Sequence, residues 1–439
     1  MVATPAVAIR NTHPFQTPGC THILLSRRWW DRFTGEEVRV RSSKTAASWM
    51  DLSFPIGDDD PPEVGFSEAV RHFSQAVRSP NLAILSGLGT SLCVMNGTVR
   101  VAPTMDQLRT LVIERFKELD EESPLIDRST RWEKFKRLAR VDDDFLNLEA
   151  LLSKAKVASD FLDGQDGKDE AELLEVAETV ICKSVDFITE KTKLDHHETF
   201  LRRMARRSSR KSRVKLFTTN YDNCFEEAAA RSGFMVVDGF SFGSDGIFNP
   251  DQFTYDVVRR SPDDRADYVE NLFHLFKIHG SIDWEWNEET GHIRKSPGTD
   301  KPVLIYPRST KYEMSFSQPY VDMMGHFQSS LRASDASLIV LGFGFNDKHI
   351  AEPIISAVRS NLSFNMIVVD PQLGSKCEKG HQFENEYLAS ISRYVDSGDG
   401  RFALIEAKFE DIIPLIPDLV AETELERHQE RMRKSTKNA

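Results

Sequence analysis

Two short polar motifs each end an apolar run with groups that can do chemistry. They are FTTNYD at Phe217–Asp222 and KIHGSID at Lys277–Asp283. An asparagine amide accepts and donates hydrogen bonds, and a histidine ring takes or gives a proton near pH 7. Asn220, Asp222 and His279, leaving adjacent strands, could face one ligand. Each also has a plainer reading. Asp222 could cap a helix over NCFEEAAA, and a histidine near a strand end is often a hydrogen-bonded core residue. Capping explains one polar residue and leaves the run Thr218-Thr219-Asn220 unexplained.

Two glycine turns add a second kind of signal. Gly87-Leu88-Gly89-Thr90-Ser91 follows the apolar run NLAILS. A strand running into Gly-x-Gly suits a phosphate, because glycine lets the backbone come close and free N–H groups hold the anion. A tight turn without a ligand has the same composition. Gly342-Phe343-Gly344-Phe345-Asn346-Asp347 repeats the pattern, with Asp347 the expected cap of the next helix. Asp370 ends NMIVVD, where an acid can bind ribose hydroxyls. It could equally form a turn before Pro371.

These residues need strands to carry them. Apolar runs occur at Asn81–Ser86, Val214–Thr219, Leu272–Gly280, Pro302–Pro307, Ser337–Phe345, Asn365–Asp370 and Arg401–Ala407. Continuous apolar runs suit a parallel sheet covered on both faces. HIAEPIISAVRS reads as a helix between two of them, a β-α-β pattern. The expected fold is α/β, with a doubly wound, mostly parallel Rossmann-like sheet. Thr104 to about Leu201 carries apolar residues at helical spacing, so a large helical insertion, about 104–210, should follow the first strand. DGQDGKDE within it reads as a solvated polar loop. The expected domain spans 66–420. An irregular arm and linker (1–65), holding RRWWDRF, precede it, and a charged tail (421–439) follows.

Composition removes several classes. The 439 residues carry a formal net charge of -12, which argues against a chain coated in nucleic acid. Five cysteines without a CxxC leave no zinc ribbon, so no metal is expected. No apolar run approaches the ~20 residues of a membrane span. No signal pattern opens the chain. A cytoplasmic protein with reduced thiols is expected, without a membrane partner.

In their order, strand–GxGxS, helical insertion, TTNYD, HG, GFGF and a final VVD resemble the sirtuin superfamily. The resemblance covers roughly Phe66 to Leu415 and is nearest to the sirtuin-like NAD-cleaving domains of bacterial antiphage defence. It implies NAD+ as substrate and a role for each residue. Gly87, Gly89, Thr90 and Ser91 would form the loop that cradles the pyrophosphate. Gly342 and Gly344 would lie against the adenosine, and Asp370 against the adenine ribose. Asn220 would position the nicotinamide ribose and the attacking water, Asp222 would stand near the nicotinamide, and His279 beside the ribose hydroxyls. Leu88 replaces the family's usual small residue. Deacylating relatives carry two zinc-holding CxxC pairs; their absence here points to water as the acceptor.

The implied activity is NAD+ glycohydrolysis, giving ADP-ribose and nicotinamide in a regulated, NAD-depleting defence effector. Nicotinamide is a cationic leaving group, so the site needs to orient the sugar, shelter positive charge and admit one water. A neutral His279 could accept a proton. The resemblance also implies a homo-oligomer and a HerA-like hexameric ATPase as a partner. FLRRMARRSSRKSRVK is a basic stretch, and Arg202–Lys215 could bind nucleic acid or an acidic partner, or be a solvated helix end. A zinc-free protein deacylase and an NAD-sensing, nucleic-acid-binding scaffold are the alternative functions.

Overall fold

The computed structural model describes residues 38–45, 48–52, 64–125, 129–142, 147–207, 211–243, 246–260, 264, 266–304, 318–375, 377–378 and 382–418. RRWWDRF, the tail 421–439 and most of the expected linker lie outside these residues.

Pro302–Leu304 pairs in a separate three-stranded sheet; the other six apolar runs and three further short strands form one sheet of nine strands. In chain order they are β1 (Arg39–Ser42), β2 (Met50–Asp51), β3 (Asn81–Ser86), β4 (Lys215–Thr218), β5 (Met235–Val237), β6 (Leu272–Lys277), β7 (Ala336–Leu341), β8 (Asn365–Val369) and β9 (Phe402–Glu406). Their order across the sheet is β2-β1-β9-β8-β7-β3-β4-β6-β5. Every pairing from β9 through to β5 is parallel, and β1 and β2 add an antiparallel edge. β6 and β7 are buried at every position, as continuous apolar runs require when both faces are covered.

Residues 39–42 and 50–51 correct the expectation of an irregular arm through residue 65. Val40 is fully buried, and Arg41 lies wholly inside with its guanidinium on Asp396. A four-residue strand that buries Arg41 and Ser42 beside Val40 shows no apolar run or period, which explains why the sequence hid it.

Helices cover the sheet. α1 (Val64–Arg78) packs on β1, β7, β8 and β9 through residues such as Phe66 and Phe73. Four of the five helices described between β3 and β4 pack together: α2 (Met105–Glu122), α3 (Arg131–Leu138), α4 (Leu148–Phe161) and α5 (Gly164–Val185). They share an apolar cluster that includes Phe116, Phe135, Leu148, Leu152 and Ile181. Reciprocal capping boxes at Thr104/Gln107 and Thr130/Glu133 start α2 and α3. α6 (Asp195–Met204) and α7 (Cys224–Ser232) flank β4. α8 (Tyr320–Arg332), α9 (Lys348–Ser360) and α10 (Glu386–Asp396) cover the face carrying Leu85, Phe217, Leu338 and Val340. No helix among the described residues is long and apolar enough to cross a membrane.

DGQDGKDE is not a loop. It opens α5, and Glu170 is completely buried with neither carboxylate oxygen hydrogen-bonded. Acidic residues near a helix N-terminus are favoured by its dipole, so a polar run there does not signal a break.

The basic stretch also reads differently in three dimensions. Arg203 donates to the carbonyls of Ile413 (2.6 Å) and Ile416 (2.8 Å). Arg207 donates to Ser79 O, and Lys211 to Arg78 O at 2.9 Å, both at the C-terminal end of α1. Arg213 forms a two-pronged pair with Asp256. The last carbonyls of a helix lack partners of their own and attract cations. Most of the expected surface field is therefore engaged within the chain; residues 208–210 lie outside the described residues.

Candidate active site

β3 lies at the topological switch point of the sheet. The chain leaves β3 for β4 on one side and later returns to β7 on the other. Ligands of open α/β sheets bind beyond the strand C-termini at such a point, where the connecting loops diverge. Here the ends of β3, β4, β6 and β7 surround a cavity of about 270 Å³. Gly87 and Leu88 follow β3; Asn220, Tyr221 and Asp222 follow β4; His279 follows β6; Gly342, Phe343, Gly344, Asn346 and Asp347 follow β7. The α2–α5 segment closes the other side with Met105, Leu108, Leu148, Glu149, Leu152, Ile181 and Val185. Gly89, Thr90, Ser91 and Asp370 do not line it.

The two glycine turns press against each other. A Cβ on Gly87 would lie 2.6 Å from Gly342 O, and Gly342 itself has φ +58. The N–H of Gly87 donates to Leu341 O (2.9 Å) and that of Gly89 to Gly342 O (3.2 Å). Thr90 and Ser91 donate their N–H groups to Gly87 O and Leu88 O. The expectation that these N–H groups are open to an anion is corrected for all four residues. The glycines serve the contact between turns, and the first turn is a short 3₁₀ helix that satisfies itself.

Asn220 is held by this loop. Its Nδ2 donates to Gly87 O at 3.0 Å, to Ser91 Oγ at 2.8 Å and to Thr90 Oγ1 at 3.3 Å. Gly87 O can only accept, so the amide nitrogen must face the loop and Oδ1 must face away. Oδ1 has no donor among the described residues and belongs to a cavity-lining side chain. Ser91 Oγ passes the network on to Asp222 Oδ2 at 2.6 Å. The other oxygen of Asp222 accepts the Cys224 N–H at the start of α7. Asp222 is thus a structural link with both oxygens occupied. Thr90 Oγ1 is tied to Ser86 Oγ and Gly87 O, so Thr90 and Ser91 shape the loop from behind. Asp370 Oδ1 accepts the Gln372 N–H, the turn-forming geometry.

His279 sits between two carboxylates. Its Nε2 is 3.0 Å from Asp347 Oδ2, and its Nδ1 faces Glu149 Oε1 across 3.7 Å. Asp347 caps α9 as expected, with Oδ1 on the His349 N–H. Burial alone would lower the His279 pKa, but the bond to Asp347 and the two negative charges outweigh it and raise the pKa. Burial likewise works to raise Asp347, yet the hydrogen bond and charge of His279 bring its carboxyl below the usual range. The expectation of a neutral His279 acting as base thus meets a surrounding that shifts the ring toward the imidazolium. Burial raises the Glu149 carboxyl, with Asp347 adding to the shift and His279 opposing it. The Glu149 side chain keeps 38 % of its surface exposed and is among the residues that line the cavity.

Four residues without an assigned role complete the site. Lys277, almost fully buried, reaches Tyr221 O, Asp222 O, Asn223 Oδ1 and Ser281 Oγ within 3.1 Å and pairs with Glu226 at 2.9 Å. It binds the end of the first motif to the second. Ser281 shares that network, which explains the Lys and Ser flanking His-Gly. Tyr221 packs against the apolar cluster of α2–α5 and joins the strand ends to their cover. Glu149 carried no sequence signal, because one acid among leucines reads as the polar face of a helix. Among the described residues no cluster of three potential ligands could hold a metal ion.

Residues 214–389 match the profile of a family described as a SIR2-like domain. The match runs from β4 into α10 and includes FTTNYD, KIHGSID and the second glycine turn. It supports kinship with the sirtuin-like superfamily, whose SIR2-like domains use NAD+ as substrate. No curated protein matches the chain.

Proposed function

We propose that this protein is an NAD+ glycohydrolase, cleaving NAD+ to ADP-ribose and nicotinamide. The observation that carries the proposal is the fixed Asn220 amide. Three acceptors hold its nitrogen, so Oδ1 stands ready at the switch-point cavity to accept from a ribose hydroxyl or a water. Preorganised dipoles of this kind favour a transition state because they need not reorient. Glu149 and Asp347 supply negative charge where an oxocarbenium-like ribose would need it. Apolar side chains from α2, α4 and α5 limit the water that can enter. The lining contains no Lys or Arg among the described residues, which suits the cationic nicotinamide end.

Resemblance to defence-associated domains extends this reading. The protein would be a regulated, NAD-depleting antiphage effector in the cytoplasm, working as a homo-oligomer with a HerA-like ATPase as candidate partner. The internal engagement of Arg203, Arg207, Lys211 and Arg213 disfavours the nucleic-acid scaffold.

Purified protein incubated with NAD+ should release nicotinamide and ADP-ribose in equal amounts. Asn220→Ala should lower turnover by about 10²–10³-fold, as loss of one preorganised contact does. Turnover that persists in both Asn220→Ala and His279→Ala would falsify the site. Nicotinamide release only with an acyl-lysine peptide would identify a deacylase.

A further inference from the structure

The site contains several ionisable groups, and all but one are already committed. Asp222 accepts from Ser91 Oγ and the Cys224 N–H. Asp347 accepts from His279 and the His349 N–H. His279 is only 4 % exposed and points its Nε2 at Asp347. The Tyr221 phenol is pushed far up by burial, which keeps it protonated. Glu149 is different. It makes no hydrogen bond among the described residues, it faces His279 Nδ1 across 3.7 Å, and its partly exposed side chain lines the cavity.

We infer that Glu149, supplied by the helical segment between β3 and β4, is the catalytic base that takes the proton from the attacking water. This inference rests on the glycohydrolase reading above. In the step, the C1′–N bond of NAD+ breaks and its electron pair leaves with neutral nicotinamide. The water oxygen bonds to C1′, and one water proton passes to the Glu149 carboxylate and then to solvent. Atoms and charge balance without an oxidant, a reductant or a metal. Burial of Glu149, relieved in part by His279, moves its carboxyl upward toward neutrality, the direction that suits a base working near pH 7. The groups facing it are His279, Asp347 and Tyr221. His279 becomes the positioning residue: its ring holds the space between two carboxylates and turns Nδ1 toward Glu149.

Position in the fold strengthens the assignment. Glu149 lies in the first turn of α4, whose start is fixed by Asn147 accepting the Ala150 N–H at 3.0 Å. Its neighbours Leu148 and Leu152 are buried in the helical cluster, so the carboxylate is carried on a packed element. The catalytic constellation would then be split between the sheet, which presents Asn220 and His279, and its helical cover.

The test uses the full-length protein, NAD+ and azide, a nucleophile with no proton to remove. Glu149→Gln keeps the size of the side chain. It should lower kcat by about 10²–10⁴-fold with KM little changed, as loss of a positioned proton acceptor does. Azide should restore NAD+ cleavage in Glu149→Ala and yield an azido-ADP-ribose product. A Glu149→Gln enzyme within about threefold of wild-type kcat overturns the assignment. So does a loss of turnover that azide does not rescue, because a merely structural role would behave that way. A wild-type protein that consumes no NAD+ overturns the glycohydrolase reading itself, and this inference with it.

Discussion

Gly89 and Gly342 meet backbone to backbone: a Cβ on Gly342 would lie 2.5 Å from the Gly89 Cα. Two loops far apart in the chain thus share one wall of the cavity. A side chain cannot be added at Gly342 without moving the loop that holds Asn220. The position also has φ +58, which L-residues rarely adopt. Gly342→Ala should therefore cost about 2–4 kcal/mol, combining left-handed strain with overpacking. Urea unfolding measures it. An unchanged midpoint would show that the two turns can separate.

Lys277 should matter more for stability than its place in a polar motif suggests. Its amino group satisfies two carbonyls, Asn223, Ser281 and Glu226 from inside the protein. Lys277→Met leaves Glu226 and those oxygens without their cation. Breaking a buried pair from one side costs about 3–5 kcal/mol. Equilibrium unfolding should show that loss, and Lys277→Arg should recover little of it, because a planar fork does not match these converging acceptors.

The His279–Asp347 pair predicts a pH window. His279 is raised above its ordinary 6.5, so its contribution is complete below that value and is lost as pH rises through the raised one. Asp347 is lowered from 3.8, so its contribution is complete above 3.8 and is lost as pH falls through the lowered one. Wild type should exceed Asp347→Asn by about 1–3 kcal/mol between these limits, as for a hydrogen bond between charged groups. The difference should shrink at either extreme. Asn still caps α9, so helix capping does not confound the comparison. A difference that stays flat from pH 4 to pH 9 would refute the charged pair.

Glu170 predicts the opposite trend in the helical cover. Burial pushes its carboxyl up to about 8 from 4.5, with Lys134 opposing the shift only in part. The folded state then binds more protons than the unfolded one between these values. Stability falls as pH rises from 4.5, and the penalty is complete above about 8. Glu170→Gln does not titrate. Its advantage over wild type should grow on the order of 2–4 kcal/mol between pH 5 and pH 9, measured by urea unfolding.

The central strands and their polar ends were legible because their causes are local. Continuous runs such as Leu272–Lys277 must be buried on both faces, and Gly, Asn and His after them mark where a strand stops. Asp347 as a helix cap was legible for the same reason. The strand Arg39–Ser42 was not, because it becomes a strand by pairing with Phe402–Glu406, distant in sequence, and with Met50–Asp51. DGQDGKDE misled because polarity marks loops and helix N-termini alike.

By itself the sequence determined which side chains stand at the strand ends, since the runs that carry them are short and locally specified. Only the tertiary structure decided what those side chains are able to do. Hydrogen bonds made across the fold engage the N–H groups of the Gly87 loop, both oxygens of Asp222 and the cations of the basic stretch. The same packing leaves Asn220 and Glu149 lining the cavity. Partner choice depends on distance in space, and a helix distant in sequence brings Glu149 within 3.7 Å of His279.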